Sequence, residues 1–404
     1  MKKIYFLLFA LFALKTIVAQ NWIPQNSGIS GILTSVHFEN SNIGYAVGWD
    51  GEQSVIIKTI NGGNNWIRQV IGIPRLLHSV FFLDENTGYI VGYEGEILKT
   101  LDGGSNWTSQ CIATMQNYKC VYFTSSDTGY AVGSDYRGGI IIKTINGGID
   151  WFHQNPGNLN SFNSVFFADL NTGFVVGSGG TILKTSDGGA NWTERYSGTS
   201  ESLKSVFFSD TNVGYVVGDL GTILKTSNGG STWDNLSLGV SINFESVHFI
   251  DYNIGFAVGQ HYGTNELIVK TIDGGLNWEI QSSSASDELH SVFFIDENIG
   301  FIVGQYGAIL KTTNGGGVGI FESIECTKNF RIYPNPTKDK LSVTSSTIKG
   351  PTIISIYNFR GHKLIVKEIT GGTEEININY LPKGIYFLKI KNKDLIEFDK
   401  IVKQ

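Results

Sequence analysis

The chain has 404 residues, room for two or three domains. Fifty glycines against seven prolines, with 12% aromatic and only 16% charged residues, disfavour long helices and favour short strands joined by tight turns. The formal net charge is −6, but residues 21–320 carry 27 acidic and 13 basic side chains. That excess of negative charge excludes the basic footprint that nucleic-acid binding needs.

The first nineteen residues read as a secretory signal peptide. Lys2 and Lys3 precede an apolar run from Ile4 to Leu14, and Ala19 offers a cleavage point before Gln20. The run is about half the ~20 residues that span a bilayer, and no later segment is apolar enough to do so. An exported, soluble mature chain is expected. Export permits disulfides. Cys111 and Cys120 can pair across a loop or remain two free thiols, and Cys326 lies far away. There is no CxxC, His/Cys cluster or HExxH, so no metal site and no cofactor is expected.

Three phrases then recur in fixed register. S-V-x-F begins at Ser35, Ser79, Ser164, Ser205, Ser246 and Ser291, with Cys120 in the serine slot of the third copy. G-[Y/F]-x-V-G ends at Gly48, Gly92, Gly133, Gly177, Gly218, Gly259 and Gly304. K-T-x-[D/N]-G-G-x-x-W starts at Lys58, Lys99, Lys143, Lys184, Lys225, Lys270 and Lys311. Seven repeats of 41 to 45 residues have a period typical of propellers and solenoids.

Each repeat reads as four short strands. In the fifth they are Ser205 to Phe208, Tyr215 to Val217, Thr222 to Thr226, and the segment around Trp233. Four strands per ~40 residues make one propeller blade. Serine to glycine is 13 residues in every copy, lysine to tryptophan is 8, and tryptophan to the next serine is 13. Only the glycine-to-lysine stretch varies, so length variation lies in the loop between strands two and three, on one face.

The ends explain each other. The seventh phrase runs from Lys311 to Gly319 and has no tryptophan, so the seventh blade lacks a fourth strand. Trp22 lies 13 residues before Ser35, which predicts that the N-terminal strand completes that blade and closes the ring. The expected fold is all-β: a seven-bladed propeller over 20–319, a linker over 320–329 and a small Ig-like β-sandwich over 330–404.

Within the phrase, the short polar residue is expected to hold the turn between strands three and four. These residues are Asn61, Asp102, Asn146, Asp187, Asn228, Asp273 and Asn314. The tryptophan packs between strands. The lysine lays its stem over apolar surface and keeps its charge in water. The D-x-N-x-G segments starting at Asp84, Asp169, Asp210, Asp251 and Asp296 read as turns between strands one and two. They lack the bidentate glutamate of a calcium loop.

T-x-[D/N]-G-G-x-x-W resembles the Asp-box, or BNR repeat, of sialidases and related propellers. The whole repeat, from Asn21 to about Gly317, most resembles the photosystem II stability/assembly factor-like propellers. The resemblance implies that the Asp-box is a folding element remote from any ligand, so no catalytic residue is assigned. A sialidase needs an arginine triad, whereas the propeller has only Arg68, Arg75, Arg137 and Arg195, and Arg-Ile-Pro is absent. Another glycosidase would need a carboxylate pair. Asp50, Glu52, Glu94, Asp135, Asp219 and Glu266 stand in the two-to-three loops.

The longer loops of repeats one, three and six carry the candidate ligand-binding residues: Trp49, Asp50 and Glu52; Asp135, Tyr136 and Arg137; His261, Tyr262 and Glu266. Aromatics beside polar groups suit a protein or glycan ligand. A glycan hydrolase using two loop carboxylates is the alternative.

From Ile320 onward the net charge is +5. Strand-like runs cover Lys340 to Thr344, Ile353 to Phe359, Lys363 to Ile369, Ile376 to Asn379, Gly384 to Lys391 and Ile396 to Val402. Tyr333-Pro334-Asn335-Pro336, the Asn358 to Gly361 turn, Leu381 to Phe387 and the final Lys400-Ile401-Val402-Lys403 resemble the type IX secretion (Por) C-terminal sorting domain of Bacteroidetes. That resemblance implies secretion through the type IX machinery, then release or surface attachment. A carbohydrate-binding sandwich is the other reading of these strands.

Overall fold

The computed structural model describes residues 22–110, 115–157, 160–238, 242–261, 266–281, 283, 287–317, 331–345, 352–358, 363–369, 372–391 and 396–404. The leader, Cys111, Tyr262 and Cys326 lie outside these residues. Two compact units divide the chain, Met1–Glu322 and Ser323–Gln404.

The first unit is all-β. Its described residues form seven antiparallel four-stranded sheets. The fifth holds Leu203–Phe208, Gly214–Gly218, Ile223–Thr226 and Asp234–Asn235. Second strands are buried from the first glycine of the phrase to the last, which is why they read as unbroken apolar runs such as Gly214–Gly218. First strands alternate, with Val206 and Phe208 buried and Phe207 half-buried. Fourth strands are two or three residues long and start just after the tryptophan.

The seventh sheet takes its fourth strand from the other end of the chain. Ile23–Gln25 pairs with the third strand, Ile23 opposite Lys311. In the first sheet Ile67 is opposite Lys58, so the displaced strand keeps the local register. Trp22 is fully buried and meets Phe256 and Phe294 edge-on at 5.9 and 5.8 Å. Trp233 meets Phe174 and Phe208 in the same way, at 6.3 and 5.9 Å.

Neighbouring sheets are linked by a repeated bond between first strands. Ser35 Oγ accepts the N–H of Val80, and Ser79, Ser164, Ser205 and Ser246 each accept one from the next sheet. In the third copy Cys120 Sγ contacts the Val165 carbonyl oxygen at 3.7 Å instead. The series returns to its start, because Ser291 Oγ accepts the N–H of Val36.

In the second unit a three-stranded sheet (Arg331–Tyr333, Lys340–Ser345, Gly372–Asn377) accompanies a four-stranded one (Thr352–Asn358, Lys363–Ile369, Gly384–Lys391, Ile396–Lys403). Leu341, Val343, Ile354, Ile356, Ile376, Ile378, Leu388 and Ile401 share one core. The strand expected at Ile376 to Asn379 instead covers Gly372–Asn377. Its polar start was illegible as a strand because Glu374 and Glu375 are ion-paired with Lys367 and Lys340. The Tyr333-Pro334-Asn335-Pro336 motif clasps the C-terminal strand. Asn335 Oδ1 accepts the N–H of Val402 at 2.9 Å, and the Thr337 N–H donates to the Val402 carbonyl at 2.8 Å.

Candidate functional site

The repeated phrase is a closed set of bonds. In all seven copies the threonine hydroxyl donates to the Asp or Asn side-chain oxygen at 2.8–3.0 Å. The same hydroxyl accepts the N–H of the second glycine at 2.8–2.9 Å. Asp187 also accepts the backbone and side-chain N–H groups of Asn191, which hold its carboxyl down at about 2. Both glycines adopt positive φ, and a Cβ on Gly63 would lie 2.5 Å from the Phe301 ring. In the D-x-N-x-G turns the aspartate oxygen caps two backbone N–H groups, as Asp84 does for Asn86 and Thr87.

The repeat lysines do more than the sequence suggested. Their ammonium groups, half-buried, also take a protein partner. Lys58 Nζ donates to the carbonyl of Gly103, in the Asp-box turn of the next sheet, at 2.6 Å, and six equivalent bonds follow. The last joins Lys311 to Gly62. Each ammonium also stands 5.4–5.7 Å from an aromatic ring of its own sheet. The lysine is therefore a strap between sheets.

The loop candidates remain in three separate groups. Trp49 ends a second strand. Asp50 accepts the N–H groups of Glu52 and Gln53 and pairs with Arg68 at 2.6 Å, so its carboxyl is held at about 2. Asp135 caps the Arg137 N–H, and the Arg137 guanidinium lies over the Tyr136 ring at 4.9 Å. Both line a cavity of about 480 Å³ with Met115, Gln116, Ile140 and His153. His261 ends the sixth sheet's second strand. Glu266 is raised by burial, with Ser283 bonded to it and Asp287 nearby. Asp287 lines a second cavity, of about 310 Å³, beside Gln25 and Tyr306. Other loop carboxylates are neutralised: Glu94 and Glu96 by Arg75, and Asp219 by Lys204.

Sequence reasoning missed a cluster on the first strands. The residue before each S-V-x-F serine is Thr34, His78, Lys119, Asn163, Lys204, Glu245 or His290. Lys119 Nζ donates to His78 Nε2 at 3.2 Å. Lys204 lies 3.9 Å from Glu245. Burial lowers Lys119, and Lys204 lowers it further. Burial raises Glu245. Burial and the adjacent Lys119 push His78 down to about 3, so it is a neutral acceptor. The signal was available: this position varies among polar and charged types inside an otherwise repeated strand.

Three residues further along each strand lies an aromatic series: His37, Phe81, Tyr122, Phe166, Phe207, His248 and Phe293. Each ring is 4.9–5.3 Å from the next, and Phe293 returns to His37 at 5.0 Å.

Comparison with known proteins agrees with this architecture. Residues 70–158, 157–242 and 233–328 match the family described as photosynthesis system II assembly factor YCF48. Residues 331–404 match the secretion system C-terminal sorting domain. No curated protein matches the chain. Among solved structures, YCF48 bound to D1 peptide is 19% identical, covering 74% of this chain and 96% of that one, with a TM-score of 0.62. The GH74 enzyme of Niastella koreensis is 14% identical over 95% of this chain and 74% of that one, with a TM-score of 0.59. PorZ of Porphyromonas gingivalis, a surface component of the type IX secretion system, is 13% identical over 94% of this chain and 60% of that one, at 0.51. These likenesses show a propeller-like fold. The sorting tail implies export to the cell surface or beyond through the type IX system. On its repeats, the chain belongs to the photosynthesis system II assembly factor YCF48 family, joined here to a secretion sorting domain.

Proposed function

We propose that the first unit is a closed seven-bladed propeller, that the second is an Ig-like sorting sandwich, and that the exported propeller is a binding module. The serine and lysine bonds that run from the seventh sheet to the first support closure. In such a propeller the first strands surround the axis. The polar series from Thr34 to His290 then rims the axial mouth on the loop face, and the aromatic series lies roughly 10 Å deeper, at three residues of strand rise. The ligand is an extracellular protein engaged through a peptide segment, as YCF48 engages the D1 peptide in the solved structure.

One observation carries the reading. Lys119 is desolvated in the rim beside a neutral His78, and Glu245, which favours its charged form, makes no direct ion pair with it among the described residues. A partly desolvated cation with no direct ion pair can take one from an incoming anion. A second reading, glycan hydrolysis, draws on Glu266 and Asp287, two carboxyl groups in unlike surroundings.

A single comparison separates the two. Culture-medium proteins retained by the immobilised full chain are compared with those retained by Lys119→Gln, and Glu266→Gln is assayed on a polysaccharide panel. Retention lost in Lys119→Gln with no turnover in the wild type supports binding. Turnover abolished by Glu266→Gln overturns it.

A further inference from the structure

We infer that the binding face has a second, outer subsite that takes a large apolar side chain of an acidic peptide. The inference rests on the axial reading above. Its site is the cavity of about 480 Å³ lined by Met115, Gln116, Asp135, Tyr136, Arg137, Ile140 and His153. The cavity mixes apolar walls with a few fixed polar groups, the ordinary character of a ligand site. Met115 and Tyr136 are 74% and 73% exposed, which is much apolar surface to leave in water around one hollow.

The polar side chains are held in place. Gln116 is buried, accepting the Tyr118 hydroxyl and meeting His153 Nε2 at 3.2 Å. The Arg137 guanidinium is fixed by its stack on Tyr136 and by a 2.6 Å bond to the tyrosine oxygen. A preorganised guanidinium can donate to a peptide carbonyl or carboxylate at small entropic cost.

The cavity and Lys119 belong to one stretch of chain. Gln116 immediately precedes the first strand of the third sheet, Asn117–Phe123, and Lys119 is its third residue. Three residues of extended chain separate the two by roughly 10 Å. A ligand in extended conformation covers that span with two residues between its contact positions. The recognised pattern is therefore an acidic residue over Lys119 and a Phe- or Leu-sized residue three positions away. Lys119 supplies positive charge to the inner subsite, and in the outer one Asp135 offsets Arg137, which leaves that subsite to an uncharged side chain.

The test uses the full chain and fluorescein-labelled peptides with blocked ends. The probes carry Asp-Gly-Ser-Phe, the reverse order, and each with Phe replaced by Ser. Fluorescence anisotropy should show at least tenfold tighter binding of one Phe probe than of its Ser counterpart. In Tyr136→Ala that preference should fall below threefold while the Ser probe binds as before. Thermal unfolding verifies that this exposed substitution leaves the fold intact. An unchanged Phe preference in Tyr136→Ala overturns the outer subsite alone. Equal binding of both probes by Lys119→Gln and wild type overturns the axial reading instead. No Phe preference in the wild type also overturns the subsite.

Discussion

Thr185 and Asp187 divide the labour of the repeated turn unequally. The threonine hydroxyl satisfies the Gly189 N–H, a buried donor. The aspartate only receives bonds from the threonine hydroxyl and from Asn191. Four of the seven copies place Asn where Asp187 stands; its amide oxygen keeps the threonine bond, and only the exposed bond from the Asn191 side chain to the second oxygen is lost. Asp187→Asn should therefore change stability little. Thr185→Val should cost about 1–3 kcal/mol, the penalty of a buried donor left unmade. Urea unfolding of the two variants checks the ranking. A loss in Asp187→Asn equal to that in Thr185→Val would contradict it.

At the scale of the element, the strand Ile23–Gln25 depends on one neighbour: Trp22 anchors three residues of strand against a sheet that begins more than 260 positions later. Its indole fills the place that Trp66 to Trp278 fill in the other sheets. It is fully buried, whereas Trp107 and Trp192 are half-buried. Trp22→Ala should cost about 3–5 kcal/mol as a large-to-small core substitution. The same change at Trp192 should cost less, because part of that ring already meets water. Denaturant midpoints of the two variants give the comparison. A Trp22→Ala midpoint equal to wild type would refute the closing role of this strand.

For the whole molecule, the series of first strands gathers titratable groups that the sequence scatters over 250 residues. His37 and His248 keep an edge accessible, yet rings on both sides deny an imidazolium its water, and both are lowered to about 4. His78 and His290 are lowered at the rim. Facing these are Lys119, Lys204, Glu245 and Glu288. A histidine lowered in the folded state takes its proton first in the unfolded chain. The histidines' contribution is thus level above the ordinary value of 6.5 and falls with pH down to about 4 for His37 and His248 and to about 3 for His78. Asp50 and Asp187 add a lower window, from the ordinary 3.8 to about 2, in which their stabilisation is lost. Replacing His37 and His248 by Phe, the residue at four of the seven positions, should remove their share of the decline between pH 6.5 and 4. The share of His78 and His290 should persist. Thermal midpoints against pH measure this, and identical slopes in variant and wild type would exclude His37 and His248 as its source.

The repeat count, the four-strand unit, the missing seventh tryptophan and the sorting motif were legible in the sequence because each is a local spacing. A 13-residue interval between Trp22 and Ser35 carries register without any knowledge of neighbours. The lysine strap to the next sheet's glycine and the polar start of Gly372–Asn377 were not legible, because their causes are partners far away in the chain. The loop residues Asp50 and Asp135 drew attention as free polar groups, but ion pairing and capping had already engaged them. The rim from Thr34 to His290 was passed over because each member sits alone in its own repeat. Sequence determined how each repeat folds. Only the tertiary structure decided which seven side chains meet, since equivalent positions in a repeat array come together through packing between sheets and not through proximity along the chain.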